Sequence, residues 1–471
     1  MASFPEPSFE MIRRFAESTF AKVRSIPYTN SQYPTSDVIA ACDHTTSVIA
    51  VVSPNNPNGG VISSNDLIRL VKEVPQAMIM LDLAYIEFAD EDLTLLALTL
   101  PNVLIFRTFS KAFGLAGLRV GYVLGQKKWI TLLRSAGLPY PVSQTALKLA
   151  HSSLNFVQER QKTISQLRIF REKITTSFTN AGIKTSPSQG NFVFAEGVKG
   201  LWWRDAMAGL GIGIRAWPDH PSLKNSIRIS CPTSIEETNR VCLAIQTIAK
   251  PQAIIFDMDG VIADVSQSYR KAIIQTAKYF GVQVTEQDIE RVKSGGDANN
   301  DWVVTQRLLA EKEVTIRLED VIPIFEEQYQ GSDIIEPLYK KETFIGDRSV
   351  LYQLKKRYKL AIVTGRPRTD AQRFLDDFAL NGLFDTVICM EDALLKPSPE
   401  PVQKALSLMG VQRAWMIGDT PDDIVAARTS NVVPIGVIPP GVNPSPLKRT
   451  LLQSGASIVL NRWDNIMERL Q

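Results

Sequence analysis

A chain of 471 residues exceeds one compact core and calls for two or three domains. Its hydrophobic fraction of 44% and charged fraction of 21% are those of a globular protein and exclude a largely disordered chain. A formal net charge of +3 without blocks of one sign gives no footprint for nucleic acid or a membrane surface. The four cysteines, Cys42, Cys231, Cys242 and Cys389, lack C-x-x-C spacing, so neither a disulfide framework nor a zinc site is expected. The three histidines, His44, His151 and His220, have no metal-ligand partner at i+4. The first residues, "MASFPEPSFEM", lack the basic region and apolar core of a signal peptide, and no window reaches ~20 uninterrupted apolar residues. A cytoplasmic protein is expected.

In chain order, the apolar runs "SVIAVVS" (47–53), "AMIMLD" (77–82) and "NVLIF" (102–106) alternate with amphipathic segments such as "SSNDLIRLVKEV" (63–74). This alternation predicts a mostly parallel sheet covered on both faces. After residue 152 the pattern becomes one long helix ending at Asn-Ala-Gly, two short strands, "NFVFA" and "SIRIS", and a helix over 235–249, which together read as a small α+β lobe. A new strand begins at "AIIFDMDG" almost without a linker. Residues 266–345 are mainly helical, and strands resume at "LAIVTG", "DTVICM", "AWMIGD" and "VVPIGV". The second half is therefore another doubly wound sheet, interrupted early by helices. The divisions expected are 1–152, 153–250 and 251–471.

Two constellations carry chemistry. In the first half "SPNNPNGG", "LDLAY" and "TFSK" each follow a strand, with Arg119 beyond them. Groups at the carboxyl ends of successive parallel strands converge on one crevice. A Schiff-base lysine must be able to lose its proton, which a desolvated site with nearby positive charge favours, and Lys111 in its glycine-rich, apolar company is expected to have such surroundings.

On these motifs residues 5 to about 250 resemble the fold-type I pyridoxal-phosphate aminotransferases, and most closely the histidinol-phosphate aminotransferases. The resemblance implies that Lys111 carries the cofactor and that Asp82 keeps its ring nitrogen protonated. Tyr85 and Asn56 would bond the ring hydroxyl oxygen, while Thr108, Ser110 and Arg119 would hold the phosphate and Phe9 would stack on the ring. Arg215 and Arg228 would face the anionic end of a phosphorylated amino substrate, and Asn191 matches a structural position. Asn58 stands where the family has threonine and Leu83 where it has glutamate. The family places an arm to the partner subunit and a Gly-Ser phosphate loop upstream of the segment that starts here. The half thus reads as an N-terminally truncated large domain plus small lobe, with a homodimer implied through it.

In the second half "FDMDG" sets Asp257 and Asp259 at i and i+2 after a strand. Thr364 in "VTGR", Lys396 in "KPSPEP", and Asp419 and Asp423 in "IGDTPDD" follow. Phosphoryl transfer needs a nucleophile, a cation for the equatorial oxygens and a proton donor for the leaving group. This region resembles the haloacid dehalogenase superfamily, a Rossmann-like domain with a helical cap at about 266–345. The resemblance implies Asp257 as nucleophile, Asp259 as general acid and base, and Thr364 and Lys396 as phosphoryl ligands. It implies Mg2+ on Asp257, the Asp259 carbonyl and Asp419, with Asp423 nearby. Substrate choice is expected from the cap loop "KSGGDANNDW" (293–302). Two functions fit the whole. One is a bifunctional enzyme of histidine biosynthesis or a similar route, which transaminates and then dephosphorylates small phosphorylated substrates. The other is a phosphatase whose aminotransferase half is a structural or dimerisation module.

Overall fold

The computed structural model describes residues 1–29, 31–296 and 298–470. It divides into two compact units, Met1–Leu201 with Ile214–Cys242, and Trp202–Gly213 with Leu243–Gln471. No helix among the described residues is long and apolar enough to cross a membrane.

The first unit holds a six-stranded sheet in the order Val23–Pro27, Ala2–Glu6, Val48–Val52, Met78–Asp82, Val103–Thr108, Gly121–Gly125. All pairs are parallel except the last, where Gly121–Gly125 runs antiparallel. The apolar runs form strands because β-branched and aliphatic side chains suit a sheet buried on both faces, and Ile49, Val51, Ile79, Leu81 and Ile105 are all 0% exposed. Helix Ser64–Glu73 adds Leu67 and Leu70 to that core, and Ser63 caps it by accepting from Asp66 N. A second, four-stranded antiparallel sheet runs Lys184–Ser186, Phe192–Glu196, Ser226–Ser230, Arg215–Ala216. Helix Val157–Asn180 precedes it, burying Leu167, Phe170, Ile174 and Phe178 at three- and four-residue spacing.

In the second unit the six strands are all parallel, in the order Thr386–Ile388, Lys359–Val363, Ala253–Phe256, Ala414–Gly418, Val433–Val437, Ile458–Leu460. Numbered along the chain this is 3-2-1-4-5-6, so the winding direction reverses between Ala253–Phe256 and Ala414–Gly418. A ligand site is expected outside the carboxyl ends of those two strands. Short strands Ala263–Asp264 and Thr343–Phe344 pair antiparallel, so the chain leaves for and returns from the helical cap side by side. The cap consists of helices Tyr269–Tyr279, Glu286–Ser294, Asp301–Glu311 and Leu318–Gln330.

The core of this unit begins before its first strand. The Trp202 ring packs 5.2 Å from that of Trp415, which is fully buried and donates through Nε1 to Thr247 O at 2.8 Å. Arg428 Nε donates to Gly209 O at 3.0 Å. Residues 202–213 therefore belong to this packing unit although they precede the sheet by some forty residues of chain.

Candidate functional site

In the first unit Asp82 ends Met78–Asp82 and its Oδ1 accepts from Ala84 N at 2.9 Å. Burial pushes this carboxyl above its usual range, against the pull of the Ala84 N–H and of Lys111. Lys111 Nζ stands 5.0 Å from the Tyr85 ring centroid. Tyr85 packs edge-on against Phe192 at 5.2 Å, and the Arg228 guanidinium lies 5.1 Å over the same Phe192 ring. Arg228 Nη1 donates to Asn56 Oδ1, while its Nε is buried with no partner among the described residues. Asn56, Asp82, Tyr85, Lys111 and Arg228 thus form one connected group.

Other residues join this group less directly. Thr108 Oγ1 donates to Ser110 Oγ at 2.9 Å and accepts from Ser110 N, so the two hydroxyls form one polar corner. Arg215 is the cross-strand partner of Arg228 and lies 3.9 Å from Glu10. Arg119 adopts a left-handed backbone with φ 55° and donates to Ala116 O. Phe9 stands at the N-cap of helix Glu10–Ser18, 41% exposed. One expectation is corrected: Lys111 is exposed, so the chain's own atoms do not desolvate it.

Both departures from the family pattern have a local explanation. Leu83 is 0% exposed within the core of the sheet. Asn58 Oδ1 accepts from Asn55 Nδ2 at 2.8 Å and from Gly60 N at 3.1 Å, which closes the turn from the inside. Gly59 has φ +75°, and a Cβ there would stand 2.2 Å from Ser188 Oγ, so the turn tolerates only glycine at this point.

In the second unit Asp257 follows Ala253–Phe256 and Asp419 follows Ala414–Gly418, one at each strand beside the reversal point. Lys396 Nζ lies between carboxylates, donating to Asp257 Oδ1 at 2.6 Å and Asp423 Oδ1 at 2.5 Å, and to Val363 O at 3.1 Å. Asp423 Oδ2 accepts from Thr420 Oγ1 and N, so this aspartate closes a capping box while it orients the lysine. One carboxylate oxygen each of Asp257, Asp419 and Asp423 lies within 4.8 Å of the others, and Asp419 Oδ1 is buried without a partner among the described residues. Three carboxylates, one of them with an orphaned oxygen, fit a divalent cation such as Mg2+. Gly260 has φ +75°, and a Cβ on it would reach within 2.4 Å of Asp419 Oδ2. Thr364 is buried, and its Oγ1 accepts from Arg366 N at 3.1 Å.

Burial pushes the Asp257 carboxyl up to about 7, opposed by Lys396 and reinforced by Asp423 and Asp259. Burial likewise holds Asp419 well above the carboxylate range, with Asp257 and Asp423 adding to it. For Lys396 burial favours the neutral amine, but Asp257 and Asp423 outweigh it and raise its pKa. Lys396→Met leaves both flanking carboxylates without their cation. At pH 8 and without metal, urea titration should show a loss of about 3–5 kcal/mol, the cost of breaking a buried ion pair from one side. A carboxyl titrating above its unfolded value contributes stability that is fully present at low pH and lost as pH rises through about 7. The deficit of the variant should accordingly shrink at pH 5.5, where the carboxyls take up protons.

The cap loop reaches this site. Lys293, Ala298, Asn299 and Asp301 line one pocket with Asp257, Asp259 and Asp419, while Asp297 of the same loop lies outside the described residues. Asn299 Nδ2 donates to Lys396 O at 3.0 Å and Asp422 Oδ2 at 2.7 Å, and a Cβ on Gly365 would stand 2.3 Å from Asn299 O. Sequence reasoning named the loop that holds Asn299 but missed Asp422, Arg366 and Glu342. Asp422 and Arg366 do lie inside the motifs "IGDTPDD" and "VTGR", which was the available signal.

Comparison with known proteins fits both halves. Residues 2–245 match the family model for aminotransferase class I and II, and residues 254–437 match that for haloacid dehalogenase-like hydrolases. An imidazoleglycerol-phosphate dehydratase of Phytophthora nicotianae is 43% identical over 225 residues, 44% of this chain and 50% of that protein. An aromatic amino acid aminotransferase of Corynebacterium glutamicum (strain R) is 34% identical over 251 residues, 52% of this chain and 70% of that protein. A solved structure from Erwinia carotovora atroseptica, described as a histidinol-phosphate aminotransferase, superposes with a TM-score of 0.50 at 25% identity and covers 53% of this chain and 74% of that one. The chain spans about half the length of several curated relatives, 50% and 54% for two of them. The chain therefore belongs to the aminotransferase class I and II family, and it carries a haloacid dehalogenase-like hydrolase domain in its second half.

Proposed function

We propose that the second half is a Mg2+-dependent phosphomonoester hydrolase and the first a pyridoxal-phosphate-dependent transaminase of a phosphorylated amino substrate. The observation that carries this reading is the Asp257–Lys396–Asp423 arrangement beside Asp419 at the reversal point of the sheet. In the hydrolase, an Asp257 carboxylate oxygen attacks phosphorus while Lys396 and Thr364 hold the phosphoryl oxygens. The phosphorus–ester oxygen bond breaks, and the leaving oxygen takes its proton from Asp259. Asp259 then accepts a proton from water, which attacks phosphorus and releases inorganic phosphate, restoring the Asp257 carboxylate. Asp257, Asp419 and the Asp259 carbonyl, with Asp423 nearby, would hold Mg2+, which when bound would neutralise charge at the phosphoryl oxygens.

In the first unit the donor set fits pyridoxal phosphate along its ring. Asp82 would hold a proton at the ring nitrogen, Tyr85 and Asn56 would bond the ring hydroxyl oxygen, and Lys111 would carry the cofactor and move the substrate's α-proton. Thr108, Ser110 and Arg119 would hold its phosphate, and Phe9 would lie on the ring. When bound, the cofactor supplies an electron sink. Arg215 and Arg228, paired across two strands, suit an anionic group on the substrate. A homodimer through this half is part of the same reading.

Histidinol phosphate is the phosphorylated amino alcohol that would connect the two reactions, and the names of two relatives, an imidazoleglycerol-phosphate dehydratase and a histidinol-phosphate aminotransferase of Legionella pneumophila (strain Lens), support it. The aromatic aminotransferase relative points to a non-phosphorylated substrate for the first half. Measuring kcat/KM of the full chain with Mg2+ for histidinol phosphate, phosphoglycolate and sugar phosphates decides the matter. Histidinol phosphate should lead by tenfold or more. A tenfold preference for another ester, about 1.4 kcal/mol of barrier, rejects the connection. The exposure of Lys111 favours a second reading, in which only the hydrolase is active. Phosphatase activity without any transamination by the full chain would establish it.

A further inference from the structure

Arg366 follows Thr364 by two residues and is 2% exposed. An arginine this deeply buried is tolerable only if its charge and donors are met, so its partners define its role. One edge of the guanidinium meets Asp259: Nε donates to Oδ1 at 2.6 Å, and Nη2 lies 2.6 Å from the same oxygen. From the other edge Nη1 donates to Glu342 Oε2 at 3.0 Å. The face of the group stacks on Tyr269, 4.9 Å from its centroid. Nε and Nη1 are thus engaged from opposite edges, while Nη2, close to the same Asp259 oxygen, makes no hydrogen bond among the described residues.

Glu342 gives the arrangement its meaning. It immediately precedes Thr343–Phe344, the strand on which the chain returns from the cap. Its Oε1 accepts from Ser268 Oγ at 2.9 Å and from Tyr329 Oη at 3.0 Å. Ser268 stands at the start of the first cap helix, and Tyr329 next to the end of the last. Both connections of the cap therefore meet on one carboxylate, and one guanidinium joins that carboxylate to Asp259. A lysine at this position would offer one ammonium in place of the two separate edges that meet Asp259 and Glu342.

We propose that Arg366 is a positioning residue of the hydrolase: it aims the Asp259 carboxyl at the leaving oxygen and, through Glu342, makes that aim depend on the seating of the cap. This rests on Asp259 as proton donor. A purely structural ion pair would affect all substrates equally, whereas a positioning role affects those whose leaving group needs a proton. p-Nitrophenyl phosphate expels a stable anion, and glycerol 3-phosphate must expel an alkoxide.

The test compares kcat/KM for these two esters in the full chain with Mg2+. Arg366→Gln should lower the value for glycerol 3-phosphate at least tenfold more than that for p-nitrophenyl phosphate. Because the single change leaves Glu342 buried without its cation, Arg366→Gln/Glu342→Gln serves as a second, charge-balanced variant with the same expected selectivity. Glu342→Gln alone keeps the contact to Asp259 and should shift the ratio in the same direction by less. Equal falls for both esters in the folded Arg366 variants would overturn the positioning role, and an unchanged ratio in Glu342→Gln would overturn the tie to the cap. If the unaltered chain hydrolyses neither ester with Mg2+, the hydrolase reading itself fails and this proposal with it.

Discussion

Asp257→Asn is expected to lower Mg2+-dependent phosphomonoester turnover by about 10^4-fold or more, as is usual when a catalytic nucleophile is removed. The amide retains the size of the carboxylate and an oxygen that can accept from Lys396, now 2.6 Å from Asp257 Oδ1. It also removes one of three carboxylates that lie within 4.8 Å of one another. Without metal the variant should therefore unfold at the same temperature as the unaltered chain or higher, since burial already disfavours charge on Asp257. A kinetic loss with no stability loss separates chemistry from folding. Activity persisting within tenfold, in protein freed of contaminating phosphatases, would remove Asp257 from the mechanism.

Lys111→Ala should abolish the visible absorbance that develops when pyridoxal phosphate is added to the full chain, and should lower any transamination by at least about 10^3-fold, ~4 kcal/mol of barrier. The side chain is exposed, with its Nζ 5.0 Å from the Tyr85 ring centroid, so its truncation should leave the fold intact. Asp82 loses a favourable positive neighbour in this variant, which moves its carboxyl further in the direction burial already drives it. An absorbance unchanged by the substitution would assign cofactor capture to another amine and leave Lys111 without a role.

The parallel sheets were legible because buried parallel strands require uninterrupted aliphatic runs, and 47–53, 77–82 and 102–106 supply them. Strands Ala2–Glu6 and Val23–Pro27 were not, since "ASFPE" and "VRSIP" mix proline and polar residues and take their conformation from the pairing itself. Asp257, Thr364 and Asp419 could be placed at strand ends from local pattern alone. What local pattern lacks is the partner. Arg366 reaches Asp259 across 107 positions and Glu342 across 24, so nothing near it in sequence signals a buried ion pair. The desolvated lysine expected at 111 failed for a related reason: "SKAFGLAGL" reads as apolar, yet in the fold it forms turns and a short 3-10 helix that leave Lys111 exposed. Nor does the sequence show that Trp202 packs on Trp415, where the two rings meet across more than two hundred residues.

The covalent step through Asp257 is tested most directly by trapping it. The full chain carrying Asp259→Asn, incubated with Mg2+ and p-nitrophenyl phosphate, can still expel p-nitrophenolate but lacks the base that would activate water for the second step. After acid quenching, mass spectrometry of the peptide containing Asp257 should show the added mass of a phosphoryl group on that residue. Release of p-nitrophenolate beyond one equivalent of enzyme with no phosphoryl group on Asp257, or with the group on another residue, would contradict the account.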